Sequence, residues 1–372
     1  MTTINSSEGI ERLIRSDLAS FGGYGASKSL KMLEDKTSVP MESIIKLDAN
    51  ENPYGCSPEA SQALAAMTQI NIYPDSGQLE LRKMLADYTG VAMGHIVAGA
   101  GSDQLIDLIL RLFLEPGDEV INLVPTFAMF RFFTELNGGT VIEVPRDENF
   151  AVNANIVKKA ITKKTKLILL ATPNNPTGTL VPREDIIKLL DTGLPMLVDE
   201  AYYEFSGQTV APLIGQYKNL MVLRTFSKWA GLAGLRIGYG LFPIRIAEHL
   251  LRIKEPYCIN AAALAAVRES LKDVDYLMDR VKAIILERGR LFSELKKIKC
   301  LKPFPSQANF ILCSVLGGAR QLQQELETRG ILVRYFDEPQ LRDCVRISVG
   351  RPEENDILFK TLNELEEELN DR

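Results

Sequence analysis

From about residue 95, short apolar runs alternate along the chain with amphipathic runs of helical period. The apolar runs are rich in β-formers, which predicts buried strands. They are HIVAGAG, EVINLV, TVIEVP, KLILLA, MLVDEAY, LMVLRT and IGYGLF. The alternation predicts an α/β fold, in which a mainly parallel seven-stranded sheet is sandwiched by helices.

The runs between these strands carry helix start and stop signals. Ser102 is placed to cap the helix of SDQLIDLILRLFL, and EPG ends that helix. The run PREDIIKLLDTG begins with proline and stops with glycine, as helices commonly do. TFAMFRFFTELNG and NANIVKKAIT are predicted as two further helices.

The pattern changes near residue 262, where a long charged helical stretch begins. Its apolar stripe consists of Leu271, Val274, Leu277, Val281, Ile284, Leu291 and Leu295. The strand-like runs ANFILC, ILVRYF and CVRISVG follow, and an amphipathic helix ends the chain. We therefore predict a large domain over residues 71–262 and a smaller α+β domain over residues 263–372, which the N-terminal segment 1–70 joins.

Composition narrows the functional classes. The chain has 372 residues, 46% of them apolar, and a net charge of −5, which disfavours a nucleic-acid partner. No apolar run is long enough to span a membrane, and the polar N-terminus does not resemble a signal peptide. Five scattered cysteines without a C-x-x-C pair predict reduced thiols in the cytoplasm. With only two histidines, we expect no metal site.

Four predicted strand ends carry unusual residues, and the ligand of a parallel sheet binds at this edge. GAGSDQ follows a strand and opens a helix, so its N–H groups suit a phosphate. Its last position, Gln104, departs from the nucleotide motif G-x-G-x-x-G. TPNNPTG is either a turn or a source of side-chain amides.

The other two strand ends supply charge. LVDEAYYEF places Asp199 at the end of an apolar strand, where it is a helix cap, a solvated edge residue or a partner for a cationic ring nitrogen. TFSKWAGLAGLRIG places Lys228 among small apolar residues, with Arg236 eight positions later. Desolvation lowers the pKa of such a lysine and makes it nucleophilic toward an aldehyde. Together these parts describe a pocket for pyridoxal 5'-phosphate.

Several of these motifs resemble a known family. DANENPYG, YPD, PNNPTG, VDEAYYEF, TFSK, AGLRIGYG and VRISVG resemble the fold-type-I aminotransferases, and more closely the histidinol-phosphate aminotransferases. The resemblance runs from about residue 24 to residue 354. It implies transamination between histidinol phosphate and 2-oxoglutarate, which gives imidazole-acetol phosphate and glutamate in histidine biosynthesis.

The resemblance also implies roles for single residues. Lys228 is expected to hold the cofactor and move the proton, and Asp199 to keep the ring nitrogen protonated. Tyr202 and Asn175 are expected to bind the ring oxygen, and Phe127 to stack on the ring. The residues expected at the cofactor phosphate are Ala100, Gly101, Ser102, Ser227 and Arg236, with Tyr73 reaching it across a homodimer interface. The residues expected at the substrate are Tyr24, Asn52, Asn175, Arg334 and Arg346.

Other functions stay open at this point. An aromatic amino-acid aminotransferase or a phospho-amino-acid decarboxylase of similar fold fits the same motifs. A non-catalytic α/β protein with a nucleotide pocket is an alternative of another class. The chain also departs from the family pattern at Trp229 and Cys258, and it lacks the prolines expected around Tyr24.

Overall fold

Two β-sheets organise the protein, whose computed structural model describes residues 9–19, 21–23, 31, 34 and 39–370. The strands in these residues are β1 (Ile45–Leu47), β2 (Ile96–Gly99), β3 (Glu119–Val124), β4 (Thr140–Pro145), β5 (Thr165–Ala171), β6 (Met196–Asp199), β7 (Leu220–Thr225), β8 (Gly238–Leu241), β9 (Leu301–Pro303), β10 (Phe310–Val315), β11 (Ile331–Tyr335) and β12 (Cys344–Ser348).

Helices connect most of these strands. In the described part of the chain the α-helices are α1 (Ser16–Ala19), α2 (Pro58–Ala65), α3 (Leu79–Thr89), α4 (Gly101–Phe113), α5 (Met129–Leu136), α6 (Ala154–Ala160), α7 (Arg183–Leu190), α8 (Tyr203–Ser206), α9 (Ile244–Ile253), α10 (Ala261–Lys272), α11 (Val274–Leu295), α12 (Ala319–Thr328) and α13 (Pro352–Asn370). Short 3₁₀ turns lie at Ile10–Leu13, Met41–Ser43, Met93–His95, Ala211–Leu213 and Ala233–Leu235.

The larger sheet contains all seven strands predicted between residues 95 and 242. Their order is β2-β8-β7-β6-β5-β3-β4. Strands β3 to β7 pair in parallel, whereas β8 runs antiparallel to both β2 and β7. The prediction of a mainly parallel sheet is confirmed, and the one reversed strand is β8.

Both faces of this sheet are buried, which is why its strands have no polar side. On β5, Ile168 packs into one core cluster and its neighbour Leu169 into the other. Val198 and Leu197 on β6 divide in the same way. Successive side chains of a strand point to opposite faces, so a fully apolar strand needs cover on both sides.

The smaller sheet joins distant parts of the chain in the order β1-β11-β12-β10-β9. Strand β1 pairs in parallel with β11, where Leu47 lies opposite Val333. The short strand near the N-terminus therefore belongs to the same sheet as the C-terminal strands. The domain boundaries at residues 70 and 262 stay a prediction.

Two local predictions were wrong. Ser102 does not cap α4, because the helix begins one residue earlier at Gly101, whose φ of 81° is left-handed. The long helical stretch after residue 262 is two helices, since the chain leaves the helical conformation at Asp273 with φ −112° and ψ 36°. The apolar stripe nevertheless faces the core, with Leu277, Val281 and Ile284 fully buried.

Candidate active site

A cavity of about 440 Å³ opens where β5, β6 and β7 end and face the smaller sheet. Its wall includes the last residues of these strands, Ala171, Asp199 and Thr225. Ten residues singled out in the sequence line it, and they are Ser102, Phe127, Asn175, Asp199, Tyr202, Ser227, Lys228, Arg236, Arg334 and Arg346. The cavity therefore lies at the edge of the sheet where ligands of parallel sheets bind.

Lys228 follows β7 and places its amine in the cavity wall. The Nζ atom donates a hydrogen bond to the carbonyl oxygen of Ala49 at 3.1 Å. Burial, and secondarily the positive charge of Arg346, lowers the pKa of Lys228 to about 8. A substantial fraction of the amine is consequently neutral near physiological pH, as a nucleophile or a general base requires.

The loop after Lys228 is held by close contact with the segment before α2. Gly231 has a left-handed φ of 68°, and a Cβ at this position would lie 2.2 Å from the carbonyl oxygen of Gly55. Asn52 Nδ2 donates a hydrogen bond to the Trp229 carbonyl oxygen at 2.9 Å. The Trp229 ring is fully buried and stacks on Tyr88 with ring centroids 5.4 Å apart. These contacts hold the backbone next to Lys228 in place.

Gly231→Ala is expected to lower the free energy of unfolding by roughly 2–5 kcal/mol, from overpacking and from left-handed strain together. Urea unfolding followed by circular dichroism measures the change. Gly234→Ala is the matched control in the same loop, because a Cβ there meets no atom within 4 Å. Equal stability of the two variants would contradict the tight contact with Gly55.

Asp199 and Glu200 are adjacent carboxylates with opposite surroundings. Glu200 is fully buried and accepts two hydrogen bonds from Arg224, at 3.1 and 2.9 Å. Asp199 is 5% exposed and lines the cavity, and its Oδ1 accepts from the Ala201 amide at 2.9 Å. Burial raises the pKa of Asp199 to about 7. Within the described residues no cation is paired with this carboxylate, so it suits a cationic group of a ligand.

Hydrogen bonds join the polar groups at the base of the cavity. The Tyr202 hydroxyl accepts from Asn50 Nδ2 at 2.9 Å. Asn175 Oδ1 accepts from Arg346 Nη1 at 2.5 Å, and Arg346 Nη2 also donates to the Asp48 carbonyl oxygen at 2.6 Å. Asn175, which is expected at the ring oxygen, is therefore bonded directly to Arg346, which is expected at the substrate.

A pocket for an anion lies at the start of α4. Gly101 and Ser102 open this helix, whose N-terminal N–H groups carry partial positive charge. A Cβ on Gly101 would lie 2.7 Å from Arg236 Nη2, so only glycine lets the guanidinium approach the helix end. Arg236 also forms an ion pair with Asp103 at 2.7 Å, a contact that the sequence did not predict. Ser227 lines the same cavity.

Two arginines stand opposite each other on the smaller sheet. Arg334 on β11 and Arg346 on β12 are directly paired in the antiparallel register. The Arg346 guanidinium also packs over the rings of Phe310 and Phe336, at 5.3 and 5.6 Å from their centroids. Like charges at opposed positions repel, and a shared anion between them relieves that repulsion.

The structure does not bring every predicted residue into this cavity. Asn52 does not line the cavity, because its side chain bonds to the Trp229 carbonyl and to the Tyr54 amide, and Asn50 lines the cavity instead. Ala100 precedes α4 outside the cavity lining. Tyr73 is 76% exposed and stacks on Tyr257, away from the cavity of its own chain.

The remaining expectations concern Tyr24, a metal site, the histidines and membrane-spanning helices. Tyr24 lies outside the described residues. In the described part of the chain, no group of three or more His, Cys, Asp and Glu residues is arranged to hold a metal ion. His95 contacts the Phe242 carbonyl oxygen, as a structural histidine does. Across the same residues, no helix has the length and apolar character needed to cross a bilayer.

The cavity fits pyridoxal 5'-phosphate on its own geometry. It offers a lysine with a lowered pKa, a buried carboxylate without a cationic partner in the described residues, and a glycine-lined helix start beside an arginine. These match the aldehyde, the ring nitrogen and the phosphate of the cofactor. The fold and the site thus define a pyridoxal-phosphate enzyme of fold type I.

Comparison with known proteins gives the family. Residues 42–362 match the family described as aminotransferase class I and II, and the chain belongs to this family. Within the family it is similar to the histidinol-phosphate aminotransferases. The protein of that name from Dehalococcoides mccartyi strain 195 is 56% identical over 359 residues, which cover 96% of this chain and 99% of the relative.

More distant relatives carry the same name. The chloroplastic histidinol-phosphate aminotransferase of Nicotiana tabacum is 43% identical over 95% of this chain and 86% of its own. Among solved structures, the Sinorhizobium meliloti histidinol-phosphate aminotransferase in complex with pyridoxal-5'-phosphate superposes with a TM-score of 0.87 at 27% identity. That match covers 95% of this chain and 97% of the other.

Proposed function

We propose that this protein transfers an amino group between histidinol phosphate and 2-oxoglutarate, giving imidazole-acetol phosphate and glutamate in histidine biosynthesis. One observation carries the proposal. A single cavity holds an amine of lowered pKa, a buried carboxylate and two opposed arginines. An amine and a carboxylate suit the cofactor, and the arginine pair suits a substrate anion.

In the proposed mechanism, bound pyridoxal 5'-phosphate supplies the aldehyde and a ring that withdraws electrons. The neutral amine of Lys228 takes the proton from the substrate carbon that bears nitrogen and later returns it on the other side of that nitrogen. Asp199, as a carboxylate, holds a proton on the ring nitrogen. Tyr202 and Asn175 would bind the ring oxygen and Phe127 would pack on the ring, since all three line the cavity.

The anions of cofactor and substrate are held at opposite ends of the cavity. Ser102, Ser227 and Arg236, with the Gly101 backbone, are proposed to bind the cofactor phosphate. Arg334 and Arg346 are proposed to bind the substrate. Glutamate presents an α-carboxylate, whereas histidinol phosphate has none and offers a phosphate ester. The planar fork of arginine binds both kinds of anion, so one pair can serve both substrates in turn.

A homodimer belongs to this proposal. Tyr73 is exposed in the single chain, as are Ile70 and Ile72 beside it. A second copy covering this apolar strip would bring Tyr73 toward the partner's cofactor phosphate. A cytoplasmic location likewise stays a proposal, and the plant relatives named above are chloroplastic.

The experiment is an assay of purified protein with histidinol phosphate and 2-oxoglutarate, in which glutamate formation is followed. We expect kcat/KM for histidinol phosphate to exceed that for phenylalanine by at least about tenfold, because a phosphate ester brings about two negative charges to the arginine pair whereas the α-carboxylate of phenylalanine brings one. Preference for phenylalanine would favour an aromatic aminotransferase, and release of carbon dioxide would indicate a decarboxylase.

Asp199 gives a pH prediction for the cofactor-free protein. Its folded pKa, about 7, lies above the ordinary value of 3.8. Between these two values the unfolded chain is ionised while the folded one holds its proton, so the wild type loses stability as pH rises. Asp199→Asn removes this loss. Relative to wild type, the variant should gain on the order of 4 kcal/mol between about pH 4 and 7.

Urea unfolding of both cofactor-free proteins at a series of pH values measures the difference. Below about pH 4 both states of the wild type are protonated, and the difference should no longer change. The same is expected above about pH 8, where both are ionised. A difference that is constant across the whole range would show that the Asp199 pKa is not raised.

A further inference from the structure

The motif TPNNPTG contains two asparagines, and only the second of them lines the cavity. Asn175 forms part of the cavity wall, whereas Asn174 does not and is fully buried. Burying an amide is costly unless its polar groups find hydrogen-bond partners. The partners of Asn174 therefore indicate what this residue does for the site.

The side chain of Asn174 is bonded at both ends of its amide. Its Oδ1 accepts a hydrogen bond from Thr126 Oγ1 at 2.7 Å. Its Nδ2 donates to the carbonyl oxygen of Pro125 at 3.0 Å and to Thr177 Oγ1 at 2.8 Å. The Pro125 carbonyl can only accept, so the amino group must face it, and the amide oxygen then faces Thr126. The orientation of the amide is therefore fixed by its neighbours.

The loop that carries Asn174 is itself firmly held. The Asn174 backbone N–H donates to the carbonyl oxygen of Thr179 at 2.8 Å, and the Asn174 carbonyl oxygen accepts from the Gly178 N–H at 2.7 Å. From outside the loop, the Gln307 N–H donates to the Gly178 carbonyl oxygen at 2.8 Å. The amide thus projects from a support that is closed on itself and bonded to the segment before β10.

The two residues that this amide holds lead directly to Phe127. Pro125 and Thr126 follow β3, and the next residue, Phe127, lines the cavity and packs edge-on against Phe130 with ring centroids 5.9 Å apart. We propose that Asn174 is a positioning residue, which through Thr126 holds the Phe127 ring in place for contact with the ring of pyridoxal 5'-phosphate. This inference rests on the proposed function.

The same residue also sets the place of a second cavity group. Asn174 precedes Asn175 in the chain, so one support holds Phe127 by hydrogen bonds and Asn175 by a covalent bond. A ligand that meets groups already held in place does not have to order them on binding, and its affinity is higher for that reason. Loss of the Thr126 bond should therefore weaken binding of the cofactor even in protein that stays folded.

The test measures the dissociation constant of pyridoxal 5'-phosphate by absorbance titration of the cofactor-free protein. Thr126→Val removes the hydroxyl with little change in side-chain volume and leaves Phe127 and Asn174 in place. We expect the dissociation constant to rise roughly five- to tenfold, within the range that contacts between aromatic rings contribute. Thr126→Ser keeps the hydroxyl and should restore the affinity of the wild type.

A second background shows whether Thr126 acts through the Phe127 ring. In Phe127→Leu protein the aromatic contact is absent, so the dissociation constant should already be high. Adding Thr126→Val should then change it by less than about twofold. An equal rise in both backgrounds would overturn the proposal, because the hydroxyl would then act independently of the ring. No rise in the wild-type background would overturn it as well.

Thr134→Val is the matched control for loss of a buried hydroxyl. Thr134 is fully buried in α5, and its Oγ1 donates to the Phe130 carbonyl oxygen of the same helix at 2.7 Å. This variant should have a lower thermal stability and an unchanged affinity for the cofactor. Equal weakening of binding by Thr134→Val and Thr126→Val would show general loosening of the fold and would contradict a positioning role.

Asn174→Ala repeats the test where Thr126→Val does not fold, as judged by circular dichroism and thermal unfolding. It removes the amide and leaves Thr126 and Phe127 in place. A rise at least as large is expected, again confined to protein that has the Phe127 ring. The proposed function fails in a different way, because the wild-type protein would then bind no pyridoxal 5'-phosphate.

Discussion

Lys228→Ala is expected to lower kcat for transamination by at least about 1,000-fold, because the variant has neither the covalent anchor nor the general base. Lys228→Arg should be as inactive. The guanidinium keeps the positive charge, but its very high pKa keeps it protonated, so it can neither take a proton nor attack an aldehyde. The pair of variants therefore separates a requirement for a neutral amine from a requirement for charge.

The measurement combines steady-state rates with borohydride reduction of the cofactor-loaded protein. Reduction should attach the cofactor permanently to a peptide containing Lys228 in the wild type and to no peptide in either variant. Lys218→Ala, at an exposed lysine just before the start of β7, is the control and should behave as wild type. Substantial activity in Lys228→Arg would refute the role of the neutral amine.

Arg346→Ala is expected to slow both half-reactions by roughly 100- to 1,000-fold, as truncation of one partner of a buried charged contact commonly does. The effect should be shared because glutamate and histidinol phosphate are proposed to place their anions at the same arginine pair. Arg334→Ala should cost less, since Arg334 is less buried than Arg346. Single-turnover kinetics with each substrate separately measure the two half-reactions.

Arg342→Ala is the control for charge, because it removes an exposed arginine from the turn before β12. Thermal unfolding of Arg346→Ala shows whether the lost hydrogen bonds to Asn175 and Asp48 disturb the fold. A large effect with histidinol phosphate and none with glutamate would refute the shared site. Unchanged kinetics with both substrates would refute any role for Arg346 in binding.

The large sheet and the positions of Asp199 and Lys228 at its edge were predictable because their sequence signals are local. Seven apolar runs are seven strands. Asp199, the last residue of β6, and Lys228, just after β7, line one cavity, as strand-end residues of a parallel sheet should. The choice between Asp199 and its neighbour Glu200 is also local in origin. Adjacent strand-end side chains face different sides, and only one side is the cavity.

The segment DANEN shows where sequence reasoning stopped. Its two asparagines are equivalent as residue types, and the resemblance places Asn52 at the substrate, whereas Asn50 is the one that lines the cavity. The difference arises from partners far along the chain: Asn50 meets Tyr202 and Ser348, whereas Asn52 meets the backbone of Trp229. Such long-range hydrogen bonds leave no periodic or compositional signal.

The ion pair of Arg236 with Asp103 was missed for the same reason, since 133 residues separate the partners. Trp229 is the opposite case, in which the sequence shows an unusual residue and the structure explains it. The sequence shows it only as a departure from the family pattern, and the structure buries its ring against Tyr88 and Phe226. Its indole belongs to the support of the lysine loop.

The hydrogen bond between Asn50 and Ser348 joins residues far apart in the sequence, and this separation constrains the order of folding during synthesis. The two residues are 298 positions apart, so Asn50 leaves the ribosome long before its partner is translated. Strand β1 is likewise synthesised long before its pairing partner β11. The nascent chain can assemble its large sheet early, but the catalytic pocket closes only when synthesis is nearly finished. A prematurely terminated chain that stops before β12 should therefore hold a folded sheet and no competent site.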